Sequence, residues 1–102
     1  MLMSKIKKVL KVKAKGKVYV DFPKHNEKIQ TTHYSCRVGS NAGCHSVEVS
    51  VNGKDWQVCR FDNGYWWYDM HNCKKGSCNL KARANTHEGE VLKSVLRRFK
   101  II

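Results

Sequence analysis

Carboxylates are scarce in this chain: eight Asp and Glu stand against 20 Lys and Arg, a formal charge of +12 over 102 residues. The few acids are scattered, and none is placed by sequence to orient a histidine as a general base. Long apolar runs are missing too, and nothing approaches the roughly 20 residues that a membrane-spanning helix needs. No glycine-rich phosphate loop, hydrolase elbow or zinc-protease helix occurs. No two cysteines have the two-residue spacing common in structural zinc sites. These absences lead to the expectation of no enzymatic activity, no cofactor, no bound metal and no membrane span. Residues 1–11 lack the uninterrupted apolar core and small-residue cleavage site of a secretory signal, which reads as cytoplasmic by default, yet five cysteines in so short a chain lean toward an oxidising compartment. Location therefore stays open.

What is present is alternation. Val47, Val49 and Val51 alternate with Ser46, Glu48 and Ser50, the period of a strand with one buried face. Asn52-Gly53 follows, a dipeptide that tolerates the positive φ angles of a type I′ turn, so a second strand over residues 55–61 is expected to fold back. A two-residue loop sets Val49 opposite Trp56 and Val47 opposite Val58. Asp62-Asn63-Gly64 signals another turn, and Tyr65-Trp66-Trp67-Tyr68 opens a third strand of this meander.

Around that centre, residues 10–22 carry apolar residues at even positions and Lys11, Lys13, Lys15 and Lys17 at odd ones. Such a comb of lysines protects an edge strand from pairing with another chain, and it also presents cations at about 7 Å spacing, suited to phosphates or sulfates. Gly16 marks a break, and residues 1–8 form a basic tail. Pro23 ends the strand, residues 24–30 read as a polar connection, and residues 32–38 as a strand with Tyr34, Cys36 and Val38 on one face and Ser35 and Arg37 on the other. Loops at 39–43, 71–77 and 85–89 bound a strand in which Cys78, Leu80, Ala82 and Ala84 face inward. The last segment fits a helix by spacing, but a closing strand over 94–102 suits an all-β domain of this size. One domain over residues 9–102 is the result, able to bury about two thirds of its unfolded surface.

Seven short strands with turns every 8 to 12 residues match the expectation for an immunoglobulin-like antiparallel sandwich. The valine run with Asn52-Gly53 and Trp56, then Trp66-Trp67-Tyr68, then Leu80-Lys81-Ala82-Arg83-Ala84 resembles bacterial immunoglobulin-like and fibronectin-III-like accessory domains over residues 17–102. That resemblance implies a module that assists by binding, spacing or dimerising. It also implies that Trp66, Tyr68 and Met70 are buried, which leaves Tyr65 and Trp67 outside as an aromatic platform.

The topology places Cys36 and Cys78 inward from opposing sheets, and Cys44 and Cys59 together on an outward face, so each pair is a disulfide candidate; free thiols are equally open. His71, Cys73, Cys78 and Cys44-His45 offer donors that zinc prefers, but the loops bearing Cys44 and Cys73 leave opposite ends of the meander. Two functions remain. One is an interaction module engaging a protein or a glycan through Tyr65 and Trp67. The other is a polyanion or nucleic-acid binder using Lys11, Lys13, Lys15, Lys17, Lys74, Lys75, Arg97 and Arg98.

Overall fold

The computed structural model describes residues 16–102. They form two antiparallel-dominated sheets and, among the described residues, no helix. The strands are β1 (Val18–Phe22), β2 (Glu27–Ile29), β3 (Tyr34–Ser40), β4 (Cys44–Val51), β5 (Gln57–Val58), β6 (Arg60–Asp62), β7 (Tyr65–Met70), β8 (Gly76–Thr86), β9 (Val91–Lys93) and β10 (Arg97–Ile101). One sheet has four strands in the order β1-β3-β7-β6, and the other has six, in the order β2-β10-β8-β4-β5 with β9 also on β8. If β5 is joined to β6 and β9 to β10, and the short β2 is set aside, the expected seven strands remain.

The alternation read from the sequence builds the core. Val47 and Val49 of β4 and Leu80, Ala82 and Ala84 of β8 are fully buried from one sheet, and Cys36 and Val38 of β3 from the other. β4 and β8 pair in register along most of their length, with Val49 opposite Ala82 and Val51 opposite Leu80. Small alanines opposite valines let the facing sheet approach closely. Trp66 and Tyr68 lean on this core from β7, and Met70 is buried.

The hairpin after β4 departs from expectation by one residue. Asn52 and Gly53 do take positive φ (54° and 72°), and the Lys54 amide donates to the Val51 carbonyl at 3.0 Å, closing the type I′ turn. Pairing resumes only with Val49 opposite Gln57 and Glu48 opposite Val58. The Ser50 hydroxyl donates to the Lys54 carbonyl at 2.6 Å and occupies the first rung, so one extra residue is accommodated. Because side chains alternate, the slip reverses the faces: Val58 is 69% exposed and Cys59 turns inward at 5%. The segment then crosses to the other sheet, where Arg60 pairs with Trp67 and Asp62 with Tyr65. The expected meander is therefore a strand that switches sheets at Cys59.

Two further differences arise from backbone pairing. The polar connection over residues 24–30 contains β2, which pairs in parallel with β10 and buries Ile29. The closing strand expected over 94–102 forms only as β10, residues 91–93 form a separate strand β9 ahead of it, and both run beside β8. At the break, the Ser94 amide donates to the Ala82 carbonyl and the Ala82 amide donates to Ser94 Oγ, both at 2.9 Å. A hydroxyl thus replaces a carbonyl in the ladder while Val95 is expelled to solvent.

Candidate binding face

Strand alternation sends Tyr19 and Asp21 of β1, Ser35, Arg37 and Gly39 of β3, Tyr65, Trp67 and Asp69 of β7, and Arg60 of β6 to the outer side of the four-stranded sheet. Gly39 lies opposite Tyr19. A Cβ at position 39 would lie 2.6 Å from Tyr19 Cε1, so the absence of a side chain lets that ring lie across β3. The Arg37 guanidinium sits 4.7 Å from the Phe22 ring centre and 4.0 Å from that of Tyr65, close enough for cation–π attraction to both. Its Nε–H donates to Asp21 Oδ2 at 3.1 Å.

A second cluster adjoins the first. Arg60 donates through Nε to one oxygen of Asp69 at 3.0 Å and through Nη2 to the other at 3.2 Å. The Ser35 hydroxyl adds a bond to Asp69 at 2.6 Å. These bonds, Arg60 first and Ser35 second, pull the Asp69 carboxyl down to about 2, and the same contact raises Arg60. Arg60 also sits 5.9 Å from the Trp67 ring centre. The Trp67 Nε1–H donates to the Asp62 carbonyl at 3.0 Å, fixing the indole. Tyr65 and Trp67 meet edge to face, with centres 6.4 Å apart and planes at 76°.

Tyr65 and Trp67 thus lie on the outer face, Tyr65 against Arg37 and Trp67 against Arg60 and the Asp62 carbonyl, with Asp21 and Asp69 anchoring the two arginines; sequence reasoning did not connect these residues. Arg37 was legible as outward, but its stacking depends on a register shift between Val20 and Phe22 that brings Phe22 beside it. The cations singled out by sequence do not gather here. Lys11, Lys13 and Lys15 lie outside the described residues, and Lys17 is exposed just before β1. Lys74 and Lys75 are in the β7–β8 loop, Arg97 is half-buried, and Arg98 is on the outer side of the six-stranded sheet.

All five cysteines are free thiols. Cys36 and Cys78 do point inward from opposing sheets, but Cys44 and Cys59 do not sit on an outward face: Cys44 lies against Ser40 and Ala42 and packs on the margin of the core, and the register slip carries Cys59 into the core. Burial pushes both Cys36 and Cys59 up to about 12, and Cys73 is raised mainly by burial. Among the described residues no group of three or more His, Cys, Asp or Glu is placed to hold a metal ion. His33 meets His71 edge to face and His45 meets His87 at a tilt, as two separate pairs. No helix among the described residues is long and apolar enough to cross a membrane.

The fold is an immunoglobulin-like β-sandwich of the fibronectin-III kind. Solved structures place it: the chain is similar to the fibronectin(III)-like modules of CbhA from Clostridium thermocellum, at 20% identity and TM-score 0.68 over 82% of this chain and 93% of that one. It is similar to part of a modular endo-beta-1,4-mannanase from Cellulomonas fimi, at 21% identity and TM-score 0.68 over 87% of this chain and 19% of that one. CopC from Methylosinus trichosporium OB3b is a more distant likeness, at 10% identity and TM-score 0.63 over 82% of this chain and 92% of that one. The sequence matches no family model and no curated protein.

Proposed function

We propose that this chain is a non-catalytic binding module that engages a protein or a glycan through the outer face of its four-stranded sheet, with a protein surface the better fit. The observation that carries this reading is the pairing of each stacked arginine on that face with a carboxylate, Arg37 with Asp21 and Arg60 with Asp69. A partner can cover such a face without leaving an uncompensated charge, which is the main penalty in burying arginine. Tyr, Trp and Arg are also the residues that carry most interface energy. A sugar ring prefers one flat exposed aromatic plane, whereas Tyr65 and Trp67 stand at 76° to each other and Arg37 occupies one side of Tyr65. The buried Cys36 and Cys59 thiols stay protonated at neutral pH and are poor nucleophiles, which supports a non-catalytic role.

A photo-crosslinking amino acid at Tyr19, introduced in the native cells, tests this. The expected result is one discrete protein adduct that disappears with Trp67→Ala and is absent when the crosslinker replaces Lys81 on the opposite sheet. Absence of any adduct, together with Trp67-dependent retardation by soluble β-mannan or β-glucan in affinity electrophoresis, would replace the protein partner with a glycan.

A further inference from the structure

The two outer faces differ in how their charge is balanced. Ion pairs on the four-stranded sheet neutralise its arginines, and on the six-stranded sheet Arg83 meets Glu48 at 2.7 Å. Among the described residues, Lys28, Lys81, Lys93, Arg98 and Lys100 have no carboxylate at ion-pair distance, and residues 1–15 contain none to offer. Three of these cations converge. Lys28 and Lys100 lie directly opposite each other on β2 and β10, at a strand spacing of about 5 Å. Arg98 follows two residues along the same face of β10, opposite Asn79. Glu27, the nearest acid in sequence, is turned away, its carboxylate accepting from the Lys24 amide at 2.7 Å.

Like charges set opposite in a sheet are destabilising unless something compensates them. Here they border an open cleft of about 530 Å³ whose other polar lining is neutral: Asn26, Ser77 and Asn79. The Asn26 amide donates to the Arg98 carbonyl at 2.7 Å, fixing the cleft wall. Leu96, 40% exposed, forms an apolar side.

We infer that this cleft is a second binding site, for a linear polysaccharide carrying sulfate or phosphate groups. One oxyanion sits among Lys28, Arg98 and Lys100, and the chain continues toward Lys81 and Lys93. Three donors on rigid strands match a tetrahedral oxyanion. The neutral amides and hydroxyl suit sugar hydroxyls, and Leu96 suits the apolar face of a sugar ring. Nucleic acid is disfavoured because no exposed aromatic ring lines the cleft for a base to stack on. This inference is independent of the aromatic face.

The test is a binding titration of the full chain with dextran sulfate, phosphomannan, neutral dextran, oligo(dT) and duplex DNA. Dextran sulfate or phosphomannan is expected to bind with a steep salt dependence, the tighter of the two identifying the preferred oxyanion, and neutral dextran is expected not to bind. Lys28→Gln, Arg98→Gln and Lys100→Gln together should weaken binding at least tenfold and reduce the log–log salt slope by about three. A charge-matched control, Lys54→Gln, Lys74→Gln and Lys75→Gln, should change affinity less than threefold, and Trp67→Ala should leave it unchanged. Equal losses in the two triple variants would show attraction by net charge alone and overturn the site. Tighter binding of either nucleic acid would overturn the ligand class.

Discussion

At the scale of the residue, Asp69 shows how the outer face is held. Its folded-state value of about 2 lies below the ordinary 3.8, so the stabilisation from its bonds is present above about pH 4 and is lost as pH falls through 2. Arg60→Gln should return the Asp69 carboxyl toward its ordinary value, read from the carboxyl carbon shift during an NMR titration. An unchanged midpoint would mean that the ion pair does not form in solution. The cysteines offer a second check. With Cys36 and Cys59 held near 12 by burial, iodoacetamide at neutral pH should modify neither in the folded protein, while Cys73 reacts; denaturant should expose all. Rapid native alkylation of Cys36 would contradict its place in the core. Alternation made the outward aspect of Arg37 legible, but for Tyr65 and Trp67 it showed only that they share a face, and the resemblance to fibronectin-III-like domains supplied which face that is. The sequence could not show that Arg37 lies between two rings or that Arg60 reaches Asp69, since those contacts join strands far apart in the chain.

At the scale of the element, regular strands were readable and irregular ones were not. The valines of β4 and the alanines of β8 each announce a buried face through eight or more residues. β2 has three residues, one of them buried, and exists only because β10 lies beside it. The break at Ser94 depends on a hydroxyl replacing a carbonyl, which no propensity scale records. The hairpin is the most instructive case: Asn52-Gly53 specified the turn type correctly, and Ser50 then changed the register. This gives a sharp expectation. Val58→Thr should alter stability by no more than about 0.5 kcal/mol, because its side chain is in water. Cys59→Ser should cost about 1–3 kcal/mol through burial of a hydroxyl without a hydrogen-bond partner. Chemical denaturation of the two variants decides between registers, because the simple two-residue hairpin predicts the reverse order. Ser94→Ala should cost about 1–3 kcal/mol by leaving the buried Ala82 amide unpaired.

At the scale of the whole molecule, a single core supports two outer faces with different electrostatics. Leu80, fully buried where β8 meets both β4 and β10, connects the halves of the six-stranded sheet. Leu80→Ala should lower stability by about 2–5 kcal/mol in a denaturant titration. The charge asymmetry was hidden in the sequence, where cations appear spread along the chain. Only the pairing of strands shows that Asp21 and Asp69 serve the four-stranded sheet while Lys28, Arg98 and Lys100 are left without acids. The division of labour between faces is the central claim, and amide shift mapping by NMR during titration with a short sulfated dextran tests it most directly. Perturbations confined to residues around Lys28, Asn79, Arg98 and Lys100, with Ser35, Arg37, Tyr65 and Trp67 unmoved, are the expected result. Shifts centred on Tyr65 and Trp67, or spread evenly over both sheets, would contradict it.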